Sequence, residues 1–377
     1  MKNKITYLIS FEYFPVSQAG LARHARAVID RLLNHDGFQA VIAVPNNKAV
    51  KINKKIITIP CIFFKNKYLC YFEFSLRFFF RFKHQFYKES FVFFSLVSYF
   101  LLPFLPRRFY IFVHSNEKRI FCTNYPDENF VERIIRKFLY FFNFQWEKYL
   151  CKKAKRVFSV SSSLKTETVY QYRIDKNKIT VINNGLDANI FKKTLKVKKN
   201  TKNLLFVGKI IYRKNIIDLI KIFKLLTNID PEFKLHIMGN GPQKYLCIIK
   251  EKINNLELKD KVFLYNYSSD TGLNKLYEKC SLFVSTSLIE GFGLVLLEAM
   301  NKGLPIIAYE NLGFNDVIVN QKNGYLVKKN DHGDFVNKIL HVSKNKKIFQ
   351  QMSKKALKRA DSFSWDTSIQ KLIKKLL

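Results

Sequence analysis

Apolar and polar positions along the 377-residue chain fall into short blocks whose period switches between strand and helix. Residues 5–10 form a brief apolar run, read as a strand, and 14–20 form a loop. Leu21, Ala25, Val28, Ile29 and Leu32 then recur three and four apart, which lines one face of a helix. His35-Asp36-Gly37 closes that helix, and 39–44 is the next strand. Strand, helix, strand with short connections implies parallel pairing. Runs 91–94, 109–113 and 156–160 read as further buried strands, and 178–182 precedes a turn at 183–187. A polar tract at 192–203 carries six lysines and few apolar residues, so it reads as a linker. The alternation then restarts: strand 203–207, helix 215–226, strand 234–238, turn 239–242, and strands 261–264, 281–285 and 304–308. Two successive doubly wound α/β halves are predicted. Ligands of such sheets sit at the carboxyl ends of strands, and a cleft is expected between the halves.

One region departs from this pattern. Residues 51–90 hold nine Lys or Arg, two acids and twelve Phe or Tyr. Glu73, Arg77, Arg81, His84, Gln85 and Lys88 form one polar stripe, and the rest of 68–87 is mostly aromatic or aliphatic. That predicts a helix with a wide apolar face. Two readings stand: it packs on the N-terminal sheet, or it docks on an anionic membrane surface, where each basic residue contributes about 1 kcal/mol.

A hydrophobic content of 48% excludes a disordered chain. The net charge of +36 points toward polyanions, although over-use of Lys alongside Asn, Ile and Phe gives it a compositional origin too. No basic module with interleaved aromatics of a nucleic-acid reader is present, so nucleic acid is not an expected partner. The six cysteines are scattered without CxxC or His at metal spacing, so neither a disulfide framework nor a zinc site is expected. The apolar run 5–9 is too short for a signal peptide. The longest uncharged stretch, 90–106, contains Pro103 and Pro106 and is shorter than the ~20 residues of a spanning helix. A cytoplasmic protein is expected, with the inner membrane face as a peripheral location.

The chemistry concentrates at Glu290-Gly291-Phe292-Gly293-Leu294 and Glu298. A strand-like run precedes this segment and helix formers follow it. Gly291 and Gly293 therefore fall where the chain enters a helix, where exposed N–H groups and the dipole favour an anion. Eight positions is about two helical turns, so Glu298 can face the same way as the turn.

Gly208-Lys209 with Lys214, Gly239-Asn240-Gly241-Pro242, Glu290 to Glu298, Asn301-Lys302-Gly303-Leu304-Pro305 and Asn323-Gly324-Tyr325-Leu326-Val327 occur in this order. The ordered set resembles the C-terminal half of the retaining GT-B glycosyltransferases of glycosyltransferase family 4, strongly over 181–340 and more weakly over the N-terminal half. The resemblance implies a GT-B fold of two Rossmann-like doubly wound parallel-sheet domains facing across a cleft. It divides the chain into an acceptor-side domain 1–191, linker 192–203, a nucleotide-sugar domain 204–360 and a C-terminal helix 361–377 returning to the first domain. It implies a nucleotide-diphosphate sugar donor and a saccharide or lipid-linked saccharide acceptor. Lys209 and Lys214 match the basic pair that holds the diphosphate, with Lys209 where the family has Arg and Arg213 able to substitute. Glu298 matches the carboxylate that binds the ribose hydroxyls. Glu290 matches the one beside the donor sugar, and the backbone from Gly291 through Phe292 and Gly293 to Leu294 lines sugar and phosphate. Gly239 and Gly241 belong to the donor-side turn. Tyr265 and Tyr267 lie where the base packs, or equally in the core. His114 matches the active-site histidine, and Gly20 the second glycine of the N-terminal loop, whose first is Ala19 here. No metal or cofactor is implied, since basic residues and a helix N-terminus meet the diphosphate. A nucleotide-sugar-binding protein without catalysis, and a related phosphorylase or epimerase, are the alternatives.

Overall fold

A computed structural model describes residues 5–10, 13, 20–45, 54–63, 67–94, 105–115, 129–186, 202–267 and 269–376. The chain forms two compact units. One holds the described residues up to Asn184 together with Trp365–Leu376, and the other holds those from Gly185 to Ser364.

The first unit runs β1 (Thr6–Ser10), α1 (Gly20–Leu32), β2 (Phe38–Pro45), β3 (Ile56–Cys61), α2 (Lys67–Phe82), β4 (Ser90–Phe93), β5 (Phe109–Val113), α3 (Phe130–Lys153), β6 (Arg156–Ser159), α4 (Ser162–Tyr172) and β7 (Ile179–Val181). Its seven strands pair in the order β3-β2-β1-β4-β5-β6-β7, all parallel. Both faces of such a sheet are covered, which is why its strands read as unbroken apolar runs. Aromatic rings fill this core. Phe94 stacks on Phe112 at 5.0 Å, and Phe112 meets Phe158 at 5.1 Å. The C-terminal helix packs on α1 and buries Trp365, Ile369 and Leu372 in the same cluster.

The second unit runs β8 (Asn203–Val207), α5 (Ile216–Ile229), β9 (Lys234–Met238), α6 (Gln243–Asn255), β10 (Val262–Tyr265), α7 (Asp270–Lys279), β11 (Leu282–Ser285), α8 (Leu294–Asn301), β12 (Ile306–Tyr309), α9 (Leu312–Asn315), β13 (Gly324–Val327), α10 (His332–Lys344) and α11 (Lys346–Asp361). Its strands lie in the order β10-β9-β8-β11-β12-β13, again all parallel. The core is mostly aliphatic, built on Ile220, Ile222, Leu235 and Ile237. In both sheets the order reverses beside the first strand of the unit, which makes that point the natural ligand crevice.

Three expectations change. Most of the tract expected as a linker, 192–201, lies outside the described residues, and Asn203 is already the first residue of β8. Helix α2 stops at Phe82, so His84, Gln85 and Lys88 lie in the turns beyond it. Glu73 does not join a solvent stripe: it is buried, and its carboxylate accepts from the backbone N–H of Ile62 (2.8 Å) and Phe63 (3.1 Å) while pairing with Arg77. Phe74, Phe78 and Phe82 pack inward, so one face of α2 belongs to the core, while Phe72, Leu76 and Phe80 stay exposed. Of the uncharged stretch 90–106, residues 95–104 lie outside the described residues. Among the described residues no helix is long and apolar enough to cross a membrane.

Candidate functional site

The crevice of the second unit is built from three turns that follow β8, β9 and β11. After β8 the chain passes Gly208 and Lys209 into a 3-10 turn, Tyr212–Lys214, and Asn215 takes a left-handed conformation (φ 51°) before α5 begins. The turn after β11 grips this one: Thr286 Oγ1 donates to Asn215 O at 2.8 Å, and Leu288 N donates to Arg213 O at 2.9 Å. The turn after β9 comes close enough to exclude any side chain. A Cβ on Gly239 would lie 1.8 Å from Gly208 O, and one on Gly241 2.0 Å from Ile210 O, so only glycine fits.

Charge gathers where these turns meet. Glu290 forms ion pairs with Lys214 and, at 3.4 Å, with Arg213, whose Nη1 also donates to Ile289 O at 2.8 Å. Burial favours the neutral carboxyl of Glu290, but the charges of Lys214 and Arg213 outweigh it and hold its pKa below the usual carboxylate value. Burial likewise pulls the Lys214 ammonium below its ordinary pKa, with Glu290 opposing the shift and Arg213 and Lys209 adding to it. Lys209 itself is exposed. Residues separated by some 76 positions in sequence thus form one cluster, with more positive than negative charge.

Beside this cluster, α8 opens at Gly293, whose φ of 95° belongs to the left-handed region and suits glycine. The backbone of Gly291, Phe292, Gly293 and Leu294 leads into that helix, while the Phe292 ring turns inward against Phe363 (5.5 Å). Glu298 lies one turn along α8 and is almost fully buried, and the Tyr277 hydroxyl donates to its Oε2 at 2.9 Å. Tyr265 is the last residue of β10 rather than part of the loop after it, and its hydroxyl meets His236 Nδ1 at 3.1 Å. Tyr267 lies in that loop, with its hydroxyl bonded to Asp270.

Two residues not expected from sequence hold this frame. Asn240 makes a reciprocal pair with Tyr267, accepting from its N–H (3.1 Å) and donating to its C=O (3.2 Å), which joins the turns after β9 and β10. Tyr277, on α7, fixes the Glu298 carboxylate. Asn240 stands between two glycines in a turn, which is a visible signal. Tyr277 has none, because its partner is 21 residues away on another helix.

In the first unit, His114 follows β5, stacked on Phe112 at 5.8 Å and edge-on to His24 at 4.5 Å. His24, on α1, places Nδ1 2.6 Å from Asn184 Oδ1, so Nδ1 carries the proton. The Nε2 atoms of His24 and His114 are buried without a hydrogen-bond partner among the described residues. Burial pushes the His24 pKa down to about 4, and the Asn184 bond offsets only part of this. Burial, and then the His24 ring, push His114 well below its ordinary value. Both imidazoles are therefore neutral at pH 7. His24 is the third residue that sequence reading passed over. Gly20 is the first residue of α1 rather than the end of a loop, and 14–19, including Ala19, lie outside the described residues. Among the described residues no group of three His, Cys, Asp or Glu is placed to hold a metal ion, and Cys61, Cys70, Cys151, Cys247 and Cys280 are free thiols.

Two Rossmann-like parallel sheets, the second with a cationic crevice at its switch point, define the GT-B class. The chain is similar over its whole length to sucrose-phosphate synthase from Thermosynechococcus elongatus, with a TM-score of 0.79, 18% identity and 98% of each chain covered. Residues 19–190 match the family model described as Glycosyltransferase Family 4, and 187–359 match Glycosyl transferases group 1. The chain belongs to glycosyltransferase family 4. Among curated relatives, it is 31% identical over 196 residues to the O-antigen chain mannosyltransferase RfbU of Salmonella typhimurium, covering 52% of this chain and 51% of that protein. It is 27% identical over 237 residues to the UDP-Gal:alpha-D-GlcNAc-diphosphoundecaprenol alpha-1,3-galactosyltransferase of Escherichia coli, covering 56% and 57%. The chain thus spans about half the length of these relatives.

Proposed function

We propose that this chain is a retaining glycosyltransferase that moves a hexose-type sugar from a UDP- or GDP-sugar to a saccharide or lipid-linked saccharide, in cell-surface polysaccharide or lipopolysaccharide synthesis. The observation that carries this reading is the Lys209, Arg213, Lys214 and Glu290 cluster at the mouth of α8. A diphosphate leaving group develops negative charge as the glycosidic bond breaks. Fixed cations and helix N–H groups aimed at it stabilise that charge without reorganising. Charge-assisted hydrogen bonds of this kind contribute roughly 1.5–3 kcal/mol each. Glu298, its carboxylate already oriented by Tyr277, is an acceptor suited to a ribose diol. Glu290 lies beside the cations and balances charge on the sugar carbon as it becomes electron-poor. His114, neutral and with Nε2 as an acceptor, suits a sugar hydroxyl. An acceptor carried on a membrane lipid fits the relative that acts on a diphosphoundecaprenol-linked sugar.

The test begins with a thermal-shift screen of nucleotide sugars. A donor present at 100 times its dissociation constant adds about 2.7 kcal/mol. Release of UDP or GDP from the donor that binds, in the presence of acceptor, is then measured. Binding without turnover would favour a nucleotide-sugar-binding protein, and no binding would sink the reading.

A further inference from the structure

The 24-residue helix α3 is packed inside out. Its buried residues are Glu147, Leu150 and Cys151, all near the C-terminal end. At about 100° per residue, half-buried Arg133, Arg136 and Tyr140 project to that same side. The opposite side carries Ile134, Ile135, Phe138, Phe141 and Phe142, every one exposed, with Phe138 at 61% and Leu139 exposed at the edge of the stripe. Phe138 and Phe142 meet edge to face at 4.7 Å, so the stripe is continuous. An ordinary amphipathic helix turns such a face inward. Here it faces out, and a contiguous apolar patch of this kind marks a surface that is covered in use.

The surrounding charge selects the cover. Residues 130–153 contain six Lys or Arg and two Glu. Lys152 and Lys153 are exposed at one end, and Lys153 Nζ lies 5.9 Å from the Tyr149 ring centroid. Aromatic rings flanked by lysines suit the boundary between acyl chains and anionic headgroups. A second copy of a +36 chain would bring like charge against like charge. On α2, by contrast, Phe74, Phe78 and Phe82 are spent in the core and a shorter set, Phe72, Leu76 and Phe80, is exposed. We propose that the outward stripe of α3 docks in an anionic lipid surface, with the helix lying parallel to it and its lysines at headgroup level. The purpose of such docking rests on the lipid-linked-acceptor reading above, whereas the docking itself is read without turnover.

The experiment is flotation of the full chain with vesicles of equimolar phosphatidylglycerol and phosphatidylcholine, and with phosphatidylcholine alone. The unaltered protein should float with the first and not the second, and high salt should release it. Ile135→Asp/Phe138→Asp/Phe142→Asp should lower the bound fraction at least about tenfold, while Phe72→Asp/Phe80→Asp on α2 should change it less than about twofold. As a second variant, Phe138→Trp should show emission quenched by brominated phosphatidylglycerol vesicles. Equal flotation with both vesicles or with neither, loss only in the α2 variant, or an unquenched Trp would overturn the proposal. So would a dimer in sedimentation velocity that the triple variant dissolves while no vesicle binding is seen. A nucleotide-sugar thermal shift on the triple variant separates the two readings: its absence in every variant counts against the transferase alone.

Discussion

The two units share one strand order and fill their crevices in opposite ways. In the C-terminal unit, the turns after β8, β9 and β11 interlock through backbone contacts and hold Arg213 and Lys214 against the Glu290 carboxylate. In the N-terminal unit, His114 at the end of β5 and His24 on α1 are neutral imidazoles walled by Phe94 and Phe112. Fixed charge suits a ligand that arrives as an anion and leaves as a stronger one. Neutral acceptors suit hydroxyl groups, whose discrimination depends on hydrogen-bond geometry rather than on field. On the proposed function, the same scaffold divides the work by what each unit's crevice carries.

The sharpest way to break this comparison is to remove charge from the C-terminal crevice. Lys214→Ala and Glu298→Ala should each lower donor turnover on the order of 10²–10³-fold, the range seen when a fixed stabilising group is lost. His114→Ala should lower turnover while leaving UDP or GDP affinity within about twofold, because the proposed function assigns it to a sugar hydroxyl and not to the nucleotide. Calorimetric titration of the nucleotide alongside steady-state kinetics checks both. Unchanged turnover in the Lys214 and Glu298 variants would dissolve the site assignment. A loss of nucleotide affinity in the His114 variant would erase the division between the units.

The second effect is on stability, and its sign follows from the imidazoles. His24 has an ordinary pKa of 6.5 and a folded pKa of about 4. Below pH 6.5 the unfolded chain takes up a proton that the folded chain refuses, so stability falls as pH drops from 6.5 toward 4 and levels off beneath. The full window amounts to about 3 kcal/mol, of which roughly 2 is lost by pH 5. His236, in the C-terminal unit, is also depressed to about 4, by burial and then by Lys279 and Lys234, so the second unit responds too. His24→Phe removes only the first share. Denaturant titrations at pH 7 and pH 5 should show a smaller acid loss for that variant than for the unaltered chain. Identical losses would mean that His24 is not held neutral.

Why the strands were legible and α3 was not follows from burial. Parallel strands covered on both faces must be apolar throughout, so 203–207 and 234–238 could be read from sequence to the residue. Gly239 and Gly241 were legible because a backbone contact leaves room for nothing else. Helix α3 gave no clear signal, because its apolar stripe faces away from the core and pattern reading assigns such a stripe to the interior. The same assumption put Glu73 on a solvent stripe, when its carboxylate in fact caps the backbone that follows β3. Lys214 and Glu290 were both visible as candidates. Their direct pairing was not, since it depends on how two distant turns interlock.

A smaller effect tests the frame rather than the charges. Asn240→Ala removes both bonds to the Tyr267 backbone and leaves that loop to find its own position. Net hydrogen bonds contribute about 0.5–1.5 kcal/mol each, so losing two should raise donor KM roughly 5–150-fold with kcat less affected. If kcat falls and KM stays, the loop after β10 serves the chemical step instead of the nucleotide.

The smallest expected effect is none, and it bears on how the charge is supplied. A divalent ion meets a leaving diphosphate by bridging its oxygens and neutralising charge. Lys209, Arg213 and Lys214, of which Glu290 neutralises one equivalent, together with the N-terminus of α8, bring positive charge to the same place from the protein itself. Turnover should therefore change less than about twofold after exhaustive chelation and on adding Mg²⁺ or Mn²⁺. Metal dependence in the unaltered protein would mean that the cluster does not face the diphosphate. Dependence appearing only in Lys214→Ala would be the most informative outcome: an added ion would then be replacing the very charge that was removed, placing that lysine at the leaving group.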